Sequence, residues 1–320
     1  VEVVTAGALS MPQGPLPVRV ANSAATGNSW FVNETTGKDT NAGNAQLPFA
    51  SLAAAENAAV ANNNDVVYLA GSCHLSAPLN WTKNGVSLVG LAAPSDNDRA
   101  RISVNGSLTQ AQVTALAPLV NVTAQGCSFV NLGTFYGFNG VLTPPTAPVC
   151  WAEAGGRNFY SNVQFLGGGD ALMGALAAMR SITVGGSGEN LFAGCTFGLD
   201  TVERITNANA TMEIIGGSPR NVIRSGIFQA YNGLAGNLHI LVQSGGMDRY
   251  LLLDDVSFLN LGTAMTVAIT NAGGSPGGNI VLTPNCISVG ATSIASTGNV
   301  FVGQISAAGG ATSGLGVLAT

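Results

Sequence analysis

Through the middle of the chain, apolar and polar positions alternate with period two around a recurring phenylalanine. The steps are Cys127-x-Phe129, Val163-x-Phe165, Cys195-x-Phe197, Gly226-x-Phe228 and Val256-x-Phe258, with a degenerate sixth at Cys286-x-Ser288. The residues between, Ser128, Gln164, Thr196, Ile227 and Ser257, are mostly polar. The positions three before each Phe, Gly126, Asn162, Gly194, Ser225 and Asp255, are polar or glycine. Such alternation predicts half-buried strands. Successive steps are 36, 32, 31, 30 and 30 residues apart. Glycine pairs keep the same beat at Gly155-Gly156, Gly185-Gly186, Gly216-Gly217, Gly245-Gly246 and Gly273-Gly274. The most literal repeat is "SFVNLGT" at 128–134 against "SFLNLGT" at 257–263.

A period near 30 also fits helical solenoids, but glycine inside a helix costs about 1 kcal/mol each. Strands of β-branched and aromatic residues between Gly/Asn turns fit better. Each repeat therefore predicts one coil of a parallel β-helix, an all-β solenoid of about 30 residues per coil. Coils stack at ~4.8 Å. A single coil cannot bury its own apolar face, so stacking supplies the core. The two "SF…NLGT" phrases are then expected on one wall, four coils apart. Cys127, Phe129, Val163, Phe165, Cys195, Phe197, Phe228, Val256 and Phe258 are the expected inward positions. Asn158, Asn190 and Asn221 share a register seven before Phe165, Phe197 and Phe228, and predict a stacked amide ladder. Cys127 and Cys195 are expected to share one inward position two coils apart, roughly 9.6 Å. A disulfide needs Cα atoms within about 7 Å, so both are expected as buried free thiols.

The ends leave the period. Residues 28–72 read as an N-terminal cap: a strand at Trp30–Asn33, a polar turn, then a helix in "ASLAAAENAAVAN". The helix is expected to plug the end of the core, because open strand edges invite aggregation. A strand at Val66–Ala70 opens the first coil. Residues 1–27, with Pro12, Pro15 and Pro17, predict an extended arm. Residues 73–303 form the β-helix body, and 304–320, rich in Gly, Ala and Ser, a C-terminal arm or cap.

Composition narrows the function classes. Charged residues make up 8% of the chain, against roughly 25% in an ordinary domain. The net charge of -5 gives no basic patch for nucleic acid. The first residues, "VEVVTAGALSMPQG", show neither the basic nor the apolar region of a secretory leader. The apolar run "ALMGALAAM" at 171–179 is too short for a membrane span.

Chemistry is sparse. Asp248, Arg249, Asp254, Asp255 and His239 are the candidate catalytic cluster, but the repeat places Arg224 in register with Asp254, which predicts an ion pair. It places Ser225 and Asn285 in register with Asp255. Asp170 and Asp200 do not align. A solvated turn with local pairing is the preferred reading. "TGKDTNAG" at 36–43 resembles a calcium loop but carries one carboxylate, Asp39, where such loops carry several; a turn is preferred. The five cysteines show no zinc spacing, and His74 and His239 have no partner pattern. No catalytic residue, metal or cofactor is expected. Trp30, Trp81, Trp151 and the tyrosines show no repeat alignment, so no aromatic glycan platform is read.

The order "FVN–TGxDxNxG–PFxSL–helix–VVYLAG–NGVSLVG", followed by the "GCSF"-type coils, resembles pectin-lyase-like right-handed parallel β-helix proteins. The coils "GGRNFYSNVQF", "GSGENLFAGCTFGLDTV" and "GGSPRNVIRSGIFQA" resemble the β-helix structural proteins of tailed-bacteriophage virions. The resemblance spans roughly residues 28–320. It implies a homotrimeric, capsid-associated virion protein, with the major capsid protein or other virion proteins as partners. On this reading the chain decorates or cements the capsid and is not an enzyme. The alternative is a tail spike or fibre module that binds or cleaves host-surface polysaccharide.

Overall fold

Repeated apolar positions and glycine turns wind the chain into a parallel β-solenoid of about 7 turns, with ~30 residues per turn and few helices. The structure, a computed structural model, describes residues 27–92, 100–137, 142–272, 279–295, 300–303 and 316–318. All of the expected arm at 1–27 except Gly27, and the glycine pair at 273–274, lie outside the described residues. Within the expected C-terminal arm, Gly316–Leu318 pairs antiparallel with Val300–Gly303.

Two sheets run along the solenoid. The smaller wall takes one strand from each coil, in chain order: Leu79–Trp81, Val120–Val122, Val149–Glu153, Arg180–Val184, Ala210–Ile214, Leu238–Val242, Met265–Asn271 and Ala291–Ala295. The larger wall bends at a corner. A residue with positive φ turns the chain there, either within one strand or between two, as Ser225 (φ 49°) separates Asn221–Arg224 from Ile227–Asn232. Asn131, Asn162, Gly194 and Asp255 occupy the same corner in other coils, with φ between 50° and 60°. Asn, Asp and Gly tolerate this left-handed conformation best, which explains the polar-or-glycine column. The paired glycines mark a second turn, where the backbone passes close to the coil beneath. A Cβ on Gly155 would lie 1.9 Å from the Ala124 carbonyl oxygen, and one on Gly186 2.0 Å from that of Ala154.

Pairing across the corner corrects the expected register. Phe129 pairs with Tyr160, and Tyr160 with Phe192. Phe165 instead pairs with Thr134 on one side and Phe197 on the other. Phe197 pairs with Phe228, and Phe228 with Phe258. The aromatic residues thus form two columns, one on each side of the corner, and Phe129 belongs to the other column from Phe258. The first step of 36 residues jumped the corner. For the same reason the two "SF…NLGT" phrases are out of step: through Ile227, Thr196 and Gln164, Ser257 comes into register with Gly133, not Ser128. Identical letters serve two different positions because both sides of the corner need an inward aromatic beside an outward small or polar residue.

All nine expected core residues are buried. Their rings stack along the solenoid at 5.0 Å for Phe129–Tyr160, 5.3 Å for Phe165–Phe197, 4.6 Å for Phe197–Phe228 and 5.1 Å for Phe228–Phe258. The two columns meet edge to face, as at Phe192–Phe197. Offset stacks and edge contacts contribute about 0.5–1.5 kcal/mol each beyond area burial.

The helix is shorter than the sequence predicted, Leu52–Ala58. Ser51 caps it by accepting from the Ala54 N–H, and Asp39 fixes the cap by accepting from the Ala50 and Ser51 N–H groups and the Ser51 hydroxyl. The chain leaves the helix at Ala59 in extended conformation, where buried Asp65 accepts from the Val60 N–H. Leu52 and Ala55 pack against the first strands of the solenoid. Two further helical turns, Gln110–Ala115 and Ala171–Gly174, were not anticipated. Each is opened by a side-chain cap, Thr109 and Asp170, that punctuates a loop between coils.

Candidate interaction surface

The predicted asparagines lie inside the solenoid as a continuous hydrogen-bond ladder. Asn158 Oδ1 accepts from the Cys127 N–H at 2.8 Å, Asn190 Oδ1 from the Asn158 N–H at 3.0 Å, and Asn221 Oδ1 from the Asn190 N–H at 3.2 Å. Asn190 Nδ2 also donates to Asn221 Oδ1, and Asn221 Nδ2 to Ser218 Oγ. The ladder carries backbone N–H groups that the turn leaves unpaired, and is structural rather than ligand-facing. Cys127 sits at its foot; contrary to the expected shared position, it lies across the corner from Cys195, and both are buried free thiols.

Beside the ladder is a buried carboxylate that sequence reasoning missed. Glu153 is almost fully buried, and accepts from the Gly155 and Gly156 N–H groups, from Asn158 Nδ2 and from the Tyr160 hydroxyl. Burial pushes its carboxyl above the usual range, against the pull of those four donors. Only its position two residues before the glycine pair Gly155-Gly156 hinted at a turn-anchoring role.

The candidate catalytic cluster does not assemble. His239 is wholly buried among Phe228 and Phe258. Asp254 pairs with Arg224 at 3.0 Å, Asp255 accepts from Ser225 Oγ, and Arg249 turns back onto its neighbour Asp248. A second exposed ladder of charge joins Arg157, Glu189 and Arg220 at 2.8 and 2.7 Å. The hydrogen bond from Arg157 leads the effects that hold Glu189 below the usual carboxylate range. Among the described residues, no three His, Cys, Asp or Glu side chains come together as a metal site, and no helix is long and apolar enough to cross a membrane. Trp81 and Trp151 are core residues.

The outer surface has one distinctive face. On two consecutive coils toward the C-terminal end of the larger wall, Leu259, Leu261, Ile287 and Val289 point outward, the last three more than half exposed. Register makes them contiguous: Leu259 pairs with Val289, Ser257 with Ile287, and Leu261 with Tyr231. Inward on the same strand lie Phe258 and Asn260. In "SFLNLGT" the alternation therefore runs with leucines out and asparagine in, and this inversion was the signal available in the sequence. Charges bound the face at Asp255 and at Glu203, which is in register with Tyr231, but none interrupts it. Among the described residues the outer edge of Ile287–Val289 has no strand partner. Exposed contiguous aliphatics above an open strand edge are the usual anatomy of a protein contact surface.

No family model matches the chain, and no curated protein matches it in sequence. Solved structures do match it in fold. A pectin methylesterase from Aspergillus niger, in deglycosylated form, superposes with a TM-score of 0.50 at 13% identity, over 96% of this chain and 95% of that one. The fold is pectin methylesterase-like. The same enzyme in penultimately deglycosylated form gives a TM-score of 0.48 at 13% identity, over 96% and 95%. A pectin methylesterase mutant in complex with a hexasaccharide gives 0.45 at 12%, over 86% and 93%. The right-handed parallel β-helix is shared at the level of architecture. This corrects the expectation that the chain is not an enzyme: the architecture is one that enzymes use, and it gives that expectation no support.

Proposed function

We propose that the protein is a structural component of a bacteriophage virion, seated at the capsid surface. On this reading it contacts further copies of itself and other virion proteins through the face of Leu259, Leu261, Ile287 and Val289. That face is the observation that carries the reading, because apolar surface withdrawn from water favours association. The lack of charge on it favours a second copy of the same face, since no like charges are brought together. The phage assignment itself comes from the resemblance of the coil sequences.

The test is to locate the chain in purified particles by mass spectrometry and a density map of the intact virion. Density for the solenoid on the head supports the proposal. Absence from the particle overturns it, and density at the tail tip moves the chain to the spike reading. Because the neighbours are pectin methylesterases, methanol release from methyl-esterified pectin by the purified protein is the parallel assay, and turnover there would replace the structural reading with a catalytic one.

A further inference from the structure

Three coils from the C-terminal end, the apolar bore of the solenoid is interrupted. Arg204 is buried there, its Nη2 donating to Thr211 Oγ1 at 2.8 Å and its Nη1 to the Leu238 carbonyl at 3.3 Å. Among the described residues it has no carboxylate partner. The neighbouring buried arginine, Arg180, already holds Glu213 at 2.7 Å. Burial first, and then the charge of Arg180, lowers the Arg204 guanidinium to about 10, so it remains cationic at neutral pH. A buried cation without a counter-charge is among the most costly arrangements in a protein interior.

One coil further on, the construction repeats with different residues. Asn232 is in register with Arg204. His239 takes the place of Thr211, between the pairs Ala210–Leu238 and Met212–Ile240. Arg204 and Thr211 bond to each other, yet their counterparts bond to nothing. Asn232 Nδ2 and Oδ1 and His239 Nδ1 and Nε2 are all buried without a protein partner. Asn260 Oδ1, on the next coil of the same wall, is also unpartnered. A buried polar atom left unsatisfied is costly, and native interiors hold few of them. A clustered set of such atoms, aimed into the bore, is a site with capacity for a bound group.

The chemistry of that group follows from the atoms that face it. Water would accept from the Asn232 amide and the imidazole N–H but leave the charge of Arg204 unbalanced. A metal cation would add to that charge. A small monovalent anion accepts from both donors and neutralises the guanidinium. We infer that the bore binds one halide-sized anion between Asn232, His239 and Arg204. The acceptors, Asn232 Oδ1, Asn260 Oδ1 and the unprotonated His239 ring nitrogen, are left to accompanying water. The ion is enclosed during folding and acts as an internal counter-charge.

Bromide is the probe. Full-length protein refolded and crystallised in sodium bromide is expected to show an anomalous peak within hydrogen-bond distance of Asn232 Nδ2 and a His239 ring nitrogen. In solution, at constant ionic strength, chloride or bromide replacing gluconate is expected to lower the unfolding constant. The drop is tenfold for each tenfold rise in halide above its dissociation constant. Arg204→Met is expected to abolish the halide dependence. Should that variant fail to fold, Asn232→Leu, which removes a donor and keeps the charge, is expected to weaken the dependence at least tenfold. An anomalous map with peaks at the surface alone, or unfolding indifferent to halide identity, overturns the inference and assigns the cluster to water.

Discussion

At the scale of single residues, Glu153 shows how burial and hydrogen bonding compete. Its folded pKa is raised above the ordinary 4.5, burial being the leading cause. A carboxyl with a raised folded pKa contributes stability that is present below pH 4.5 and is lost as pH climbs through the folded value. Wild type is therefore expected to lose stability relative to Glu153→Gln as pH is raised from 4 to 7, read as urea midpoints at each pH. A wild type that gains over the variant across that range would show that the four donors outweigh burial. The thiols give a second residue-scale prediction. Burial pushes Cys127 and Cys195 up to about 12, and a thiol is reactive only as thiolate. Both are expected to stay unlabelled by a maleimide at pH 7.5 in the folded protein and to label fully in denaturant, without reductant; a mass-mapped bridge between them contradicts this register.

At the scale of elements, the asparagine ladder and the aromatic columns divide the work. Asn190→Ala strips the acceptor from the buried Asn158 N–H, which predicts a loss of about 1–3 kcal/mol. Asn121→Ala removes an exposed amide pair at 3.1 Å to Asn80 and is expected within about 0.5 kcal/mol of wild type; chemical denaturation of both separates a ladder from a decoration. Much of this level was legible in the sequence. The period, the inward apolar set and the asparagine register all follow from positions that a stack must revisit. The register across the corner did not follow, because Phe129 and Phe165 satisfy the same local alternation on opposite sides of one left-handed residue. Glu153 and Asn232 were missed for a different reason. Inside a coil that is buried on one face, a polar letter reads as outward until three-dimensional pairing shows where it points. The outward leucines at 259 and 261 escaped notice by the mirror image of that error.

At the scale of the whole molecule, the two ends of the solenoid are treated differently. At the N-terminal end the helix Leu52–Ala58 packs against the first strands, with buried Glu56 tying it to Thr82 through bonds of 3.0 and 2.8 Å. At the C-terminal end the described strands Ile287–Val289 and Ala291–Ala295 each have a neighbour on one side, beside the aliphatic face. Among the described residues this leaves an open edge beside an uncharged apolar face, an arrangement that favours association in concentrated solution. Partners that cover the face are the physical remedy. The full-length protein is thus expected to self-associate at micromolar concentration by light scattering, and Leu261→Lys with Val289→Lys is expected to shift it to monomer. Both positions are more than half exposed and belong to the outward side of their strands, so far-UV dichroism and the urea midpoint are expected to hold. Two opposed copies of this face would bring four new ammonium groups together, each also losing water on contact. The dissociation constant is expected to rise at least a hundredfold, about 2.7 kcal/mol. A wild type that is monomeric at every concentration, or a variant that associates as before, would place the contact elsewhere on the solenoid.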